Sequence, residues 1–508
     1  MKKYIFYVAA FVSITTVGCR KIETDGEPFI VQVPGGGGGG TTGQTIYLKD
    51  RINADTLLRK ENTYILQGLV YMVGNHTMTI QPGTVIKGSY SGANVAALII
   101  TRGSKLVAAG TSDNPIIFTS SSPNPQSGDW GGIVLCGKAP INSAYQSKQG
   151  LYQVEGGVDN SSGDGLAGSG DAVVPTAIPT DSSGVLQYIR IEYAGYAFQP
   201  DKEINSLTMA GVGSKTVIDH IQTIYAKDDA FEWFGGTVNC KFLIAYKTLD
   251  DDFDTDLGYS GKVQFGLIIR DSVLADGSRS EAFESDNDAN GTTAAPKTTA
   301  IFSNVTAIGP RATTVNAGNS LFRGAAHIRR NTGISIFNSI IMGWPVGIEI
   351  DATTGTSTAL DIEDSTIRLR NITIAGTAQN TKFSGTAGAT ITTDAAFTTW
   401  FTNPFYNNDF LTNNTEVKLV NPFSYTAPDP TPFAAGNGNA KVLGIITLSP
   451  LTYRNDLFSD PKFNGDTFFD KTDPGSIATG QPLSFRGAIA PSGPLSSWWK
   501  GWTKFNFN

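Results

Sequence analysis

The chain has 508 residues, 57 of them glycine, with 40% hydrophobic residues, only 16% charged residues and a formal net charge of −7. That apolar content suffices for a core, which excludes a disordered chain, and the lack of any basic stripe excludes a nucleic-acid partner. Three cysteines (Cys19, Cys136, Cys240) and three histidines (His76, His220, His327) exclude a disulfide framework and leave little material for a His-rich zinc site or a Ser-His-Asp triad.

The N-terminus reads as an address. Lys2 and Lys3 form a basic region and Tyr4 to Val12 an apolar one, too short to span a bilayer. Thr16-Val17-Gly18-Cys19 then resembles a bacterial lipobox, so residues 1–18 are expected to be a signal peptide and Cys19 the lipidated first residue. An ordinary cleaved secretory signal is the alternative. Residues 19–44 read as a tether, with six consecutive glycines, Gly35 to Gly40, serving as a flexible leash. Early acids (Glu23, Asp25, Glu27) resemble the surface-export signals of Bacteroidetes lipoproteins, which implies an outer-membrane location facing the exterior.

From about Thr45 onward short β-branched runs recur roughly every twenty residues, broken by Gly, Pro and Asn turns: Thr77 to Ile86, Ala97 to Ile100, Pro115 to Phe118, Val185 to Tyr193, Val217 to Tyr225 and Val238 to Tyr246. Tyr193, Tyr225 and Tyr246 close equivalent segments 32 and 21 residues apart, and Asn304, Asn338 and Asn371 recur 34 and 33 apart. Constant strand starts with variable loops are the pattern of a solenoid whose insertions lie on one face. Asn at a repeated turn would let side-chain amides stack along the axis. A β-sandwich would need hairpin turns between neighbouring strands, and Asn-Gly or Asp-Gly pairs rarely stand between alternating runs here. The expected fold is all-β: a right-handed, single-stranded parallel β-helix over 45–376.

Gly128-Asp129-Trp130-Gly131-Gly132-Ile133-Val134-Leu135, with Pro82-Gly83-Thr84 and Asp228-Asp229-Ala230-Phe231-Glu232-Trp233-Phe234-Gly235-Gly236, resembles the coils of pectin-lyase-like β-helices. More narrowly, the chain resembles β-helical outer-membrane lipoproteins of Bacteroidetes, related to leptospiral ones, over most of residues 60–375 and again at Phe485 to Ala488 and Trp499 to Thr503. The resemblance implies a fold and a location, not an established reaction.

Past Gly376 the repeats fade. Asp394 to Trp400 looks helical, and 377–508 is expected to cap the last coil or fold back along the solenoid, since an open end would be a bare sheet edge. The Trp498-Trp499-Lys500-Gly501-Trp502 tail is expected to pack against a sheet.

Candidate chemistry is concentrated between Lys227 and Asn290. Ala230-Phe231-Glu232, Asp252-Phe253-Asp254 and Ala282-Phe283-Glu284 align, with Phe repeating at 22 and 30 residues. Equivalent positions of a β-helix stack about 4.8 Å apart, so the rings should point inward and Glu232, Asp254 and Glu284 outward as a column of like charges. Such a column raises pKa values or calls for a cation. Asp228, Asp229, Asp250, Asp251, Asp252, Asp256, Asp286 and Asp288 surround it, and Asp286-Asn287-Asp288-Ala289-Asn290-Gly291 matches half of a calcium loop, without the acid at its twelfth position. Hard oxygen donors favour Ca²⁺.

Two functions from different classes follow. The first is a non-catalytic surface scaffold that binds a glycan or an outer-membrane protein, with either Ca²⁺ or no metal on its acidic face. The second is a calcium-dependent polysaccharide lyase acting on acidic glycans, with Arg270, Lys247 or Lys227 as base. Fold analogy alone is a weak warrant for catalysis, so the scaffold is preferred. Cys136 and Cys240 are expected to be buried free thiols.

Overall fold

The computed structural model describes residues 31–33, 43–199, 202–311, 318–424, 427–432, 457–472, 474 and 482–506. The expected signal peptide, Cys19 and the glycine leash lie outside them. From Thr45 to Leu411 the strands of successive coils pair in parallel, so the chain is a parallel β-helix with three long sheets. One sheet runs through Ala97–Ile100, Gly132–Cys136, Leu207–Ala210, Phe231–Phe234, Phe253–Asp256, Ser280–Ser285, Phe322–Arg329, Val346–Ala352 and Gln379–Gly385. Parallel pairing therefore continues beyond residue 376, where the repeats become hard to read, through Gln379–Gly385 and Asp409–Leu411.

The other two sheets meet at a corner made by one residue per coil. Tyr188, His220, Phe242, Phe265, Asn304, Asn338, Asn371 and Asn407 all take positive φ there, between 49° and 62°. Bulky residues rarely adopt that conformation, and stacking offsets its cost. His220 lies between Tyr188 and Phe242, with ring centroids 4.3 Å away on each side, and Phe242 meets Phe265 at 5.0 Å. Farther along the column amides replace rings, and the Asn ladder forms as expected. Asn371 donates to Asn338 and Asn407 donates to Asn371, each at 2.9 Å. Asn304 joins less directly, through Ser303, to which Asn338 donates at 3.0 Å.

A second positive-φ column corrects one alignment. Tyr193 stacks on Tyr225 at 5.5 Å, but the residue in register after Tyr225 is Lys247, because Tyr246 pairs with Ile224. The aromatic repeat at that corner slips by one residue.

The interior is apolar. Phe231, Phe253 and Phe283 are fully buried and in register, their centroids 5.7 Å apart at each step, and Phe302 packs against the latter two. Cys240 is buried in this core, Cys136 in a cluster on its outer side, and both thiols are free. The insertion after Cys136 forms two small hairpins, Ala144–Tyr145 with Lys148–Gln149 and Leu151–Gln153 with Leu166–Gly168, whose Ile141, Val154, Val158 and Ala167 cover the outside of the first sheet.

The helix Asp394–Phe401, capped by Thr393, inserts Phe397 and Phe401 into the end of the core. The last segment runs back along the solenoid and is tied to successive coils: Asn304 donates to Phe485 O, Gln222 to Lys504 O and Arg190 to Trp502 O. Trp498, Trp499 and Trp502 are buried with the corner aromatics, as the packing expectation required.

Phe253→Ala should cost about 3–5 kcal/mol of stability, because the rings above, below and beside it cannot collapse into the space. Denaturant unfolding checks it, and a loss below about 1 kcal/mol would contradict the stacked core.

Candidate functional site

The outward residues of the first sheet form one continuous column, Thr208, Glu232, Asp254, Glu284, His327, Glu349 and Lys382, each in register with the next. The three expected carboxylates are thus adjacent, but their surroundings differ. Glu284 meets Arg329 through Oε2, and its Oε1 faces His327; these contacts outweigh burial and hold its pKa below the usual value. Farther along, Arg323 grips Glu349 at 3.0 and 3.2 Å with Lys382 at 3.0 Å, and burial notwithstanding the Glu349 carboxyl falls to about 2.

The other end differs. Among the described residues no lysine or arginine pairs with Asp229, Glu232 or Asp254. Glu232 is 6% exposed and accepts a bond from Asn205, while Asp254 Oδ1 is buried without a partner. Burial first, and neighbouring acids second, push Asp229, Glu232 and Asp254 well above the ordinary carboxylate range. Tyr152 of the insertion packs on Phe234 at 4.9 Å beside them.

The corner before these strands carries a second ladder. Asp229 N donates to Asn205 Oδ1 at 3.2 Å, Asp251 N to Asp229 Oδ1 at 2.9 Å, and Glu281 N to Asp251 Oδ1 at 2.6 Å. Each acid thus holds the backbone of the next coil, and this structural use explains part of the acidic density. Asp228 and Asp250 lie at the mouth of this corner with Asp229, ligand-type oxygens within 4.8 Å of one another.

Several expected site residues serve other ends. Asp252 and Arg270 form an ion pair of 3.1 Å with both side chains fully enclosed. Arg270 also donates to Asp250 O and Leu249 O and lies over Phe322 and Trp344. A guanidinium sealed in the core cannot reach an external substrate, so Arg270 is not a base, and Asp252 is its counter-ion rather than a ligand. Lys247 reaches Tyr225 OH at 3.2 Å and Asp271 at 3.4 Å, between two tyrosine rings on another sheet. Lys227 is exposed beside Asp228.

The half calcium loop does not assemble. Asp286 is held by Arg329 and Arg330 at 2.6–3.0 Å, whereas Asp288 accepts Asn290 N, Thr292 N and Thr292 Oγ1 and closes its own turn. Asp256, on the outer face two residues from Asp254, accepts Leu257 N and is raised to about 7 by burial and by Asp286.

Oxygens of Asp229, Glu232 and Asp254 lie within 4.8 Å of one another. That matches the span across a cation ligated at about 2.3–2.6 Å, so this all-oxygen set fits Ca²⁺. The sequence reads His327 only as a sheet or turn residue, because the Phe-plus-acid signature ends at Glu284. In the next coil Ala326 stands where Phe283 stood, and the outward residue after it is His327.

The fold and this lateral acidic face define a parallel β-helix of the pectate-lyase type. The family described as "pectate-lyase like beta helix domain" matches residues 50–410, and the chain belongs to it. No curated protein matches the chain. Among solved structures, "a new PL6 alginate lyase complex with trisaccharide" aligns at a TM-score of 0.26 and 10% identity, covering 77% of this chain and 87% of that one.

A carboxyl whose pKa is raised by folding binds its proton more tightly in the fold. It favours the folded state where protonated and loses that contribution as pH rises past its unfolded value toward its folded one. For Asp252 (about 6), Asp251 and Asp256 (about 7) and Asp250 (about 8) the window runs from the ordinary 3.8 to about 8. In chelator the melting temperature should therefore fall by several degrees between pH 5 and pH 8. A flat or rising melting temperature over that span would contradict the site's electrostatics.

Proposed function

We propose that the protein is an outer-membrane lipoprotein, anchored through Cys19 and facing outward, whose β-helix is a non-catalytic scaffold that binds an acidic or hydroxyl-rich glycan through Ca²⁺ on its acidic face. The observation that carries the cation is the contrast along one face, between the two ends of the outward column and the corner acid Asp229 beside it. Glu284 is held by Arg329 and Glu349 by Arg323 and Lys382, whereas Asp229, Glu232 and Asp254, buried or half-buried, pair with no lysine or arginine among the described residues. Like charges in that setting are stabilised by a bound divalent cation. A Ca²⁺ held there with open coordination positions would take the carboxylate or hydroxyl oxygens of a sugar.

Binding is preferred to turnover because two of the expected bases are engaged elsewhere, Arg270 with Asp252 and Lys247 with Asp271 and Tyr225. The anchor rests on the lipobox-like Thr16 to Cys19, the glycine leash and the early acids.

Equilibrium dialysis with ⁴⁵Ca²⁺ tests the site. The intact protein should hold Ca²⁺, and Glu232→Gln with Asp254→Asn should weaken it at least about tenfold, while Lys227→Ala should not. Glycan-array binding should require Ca²⁺, and unsaturated products from uronate polymers should not accumulate; their accumulation would move the reading to a lyase.

Labelling with an alkyne fatty acid in cells tests the anchor. Incorporation should vanish in Cys19→Ser, and external protease should degrade the native form on intact cells. Persistent labelling of the variant would remove the lipoprotein reading.

A further inference from the structure

His327 stands one coil beyond Glu284 in the outward column and is 1% exposed. Its Nε2 lies 3.0 Å from Asp351 Oδ2. Asp351 also accepts Thr353 N at 2.9 Å and Thr353 Oγ1 at 2.6 Å and meets Arg323 at 3.2 Å, contacts that keep it ionised. An ionised carboxylate so placed takes a hydrogen from the ring, so Nε2 carries the proton and Nδ1 presents its lone pair.

That lone pair faces two more carboxylates. Nδ1 is 3.5 Å from Glu281 Oε1 and 3.4 Å from Glu284 Oε1 and, though buried, makes no hydrogen bond. Glu281 is itself 1% exposed; Arg323 Nε stands 3.9 Å from its Oε1, and its Oε2 has no partner. The register shifts between Ser280 and Glu281, with Arg323 as the extra residue on the neighbouring strand, and ligand atoms of Glu281, Glu284 and His327 all lie within 4.8 Å of one another. Arg329 holds Oε2 of Glu284 and leaves Oε1 toward the ring. Separations of about 3.4 Å are too long for hydrogen bonds, yet they are the edge of a tetrahedron whose corners stand about 2.1 Å from its centre.

We propose that Glu281 and Glu284, with His327 through Nδ1, form a divalent transition-metal site of the zinc type, separate from the Ca²⁺ site, with Asp351 as the positioning carboxylate behind the imidazole. The imidazole donor selects Zn²⁺ or Co²⁺ over Ca²⁺, which takes oxygen alone. A carboxylate behind a ligating histidine fixes its tautomer and strengthens the donor. Three protein ligands leave the fourth corner open. It lies toward Glu284, the most exposed of the three at 16%, and so takes water or an oxygen of an incoming ligand.

The rival state is an imidazolium bridging Glu281, Glu284 and Asp351 with no metal. Untagged protein, stripped with chelator and returned to excess Ca²⁺, is titrated with Co²⁺ and Zn²⁺, with His side-chain ¹⁵N shifts followed by NMR. One equivalent of Co²⁺ should give the intense visible bands of a four-coordinate ion, be displaced by Zn²⁺, and move the His327 Nδ1 resonance to a metal-bound value. Glu281→Gln and His327→Gln should each abolish the bands. Asp351→Asn should weaken binding by about 10- to 100-fold. Because the bands are read in the native protein, the result does not hinge on any variant folding. An imidazolium pattern unmoved by Zn²⁺, or binding unchanged in both Gln variants (as for a surface site at His76), would overturn the proposal. Glu232→Gln with Asp254→Asn should leave Co²⁺ binding intact, so failure of one site is distinguishable from failure of the other.

Discussion

In a parallel β-helix a side chain has as its nearest neighbours the residues at the same position one coil before and after, about 4.8 Å away. Whatever is placed at a position is therefore stacked on its equivalents, and the energetics of each column follow from whether its residues attract or repel. Phe231, Phe253 and Phe283 gain from that proximity, as do the rings from Tyr188 to Phe265 and the amides from Asn338 to Asn407. Favourable stacking also holds those corner residues at positive φ, a conformation that bulky side chains otherwise avoid. The cap and the C-terminal tryptophans extend the same logic by covering the end and one flank of the stack.

For carboxylates the identical geometry is a cost, and this chain meets it in two ways. Between Glu284 and Lys382 cations are interleaved, with Arg323, Arg329 and Arg330 reaching across from neighbouring positions. Between Asp229 and Asp254 no lysine or arginine among the described residues pairs with an acid, and the acids are instead shielded by Asn205 and by the Tyr152 insertion, with raised pKa values as the physical consequence. A fold optimised only for stability would have interleaved cations throughout. One stretch left unneutralised, in a face already built from rigid strands, is what the proposed cation-dependent binding rests on.

Glu284 sits at the junction. It belongs to the column of Glu232 and Asp254 by register and to the arginine–histidine network by contact. Asp252 and Arg270, by contrast, face away from all of this and form an ion pair sealed in the core, where loss of either partner would strand a buried charge.

Much of this was legible in the sequence. Alternating β-branched runs at regular spacing determined a β-helix, and the Phe-plus-acid repeat determined both the inward ring stack and the adjacency of Glu232, Asp254 and Glu284, because register in a solenoid is set by residues that recur along the chain. Tertiary structure decided the rest. Whether an acid in the column is free, paired or structural depends on residues from distant segments, such as Asn205, Arg329 and the insertion around Tyr152, whose approach leaves no periodic trace. Arg270 turned inward because a single position in a coil can face the core, and sequence spacing does not record that. His327 reads in sequence as a plain sheet residue since Ala326 interrupts the phenylalanine repeat just where the column continues, and Glu281 falls outside the Phe-plus-acid spacing altogether. Periodicity encodes what each coil shares with the next; the site is built from what differs between them.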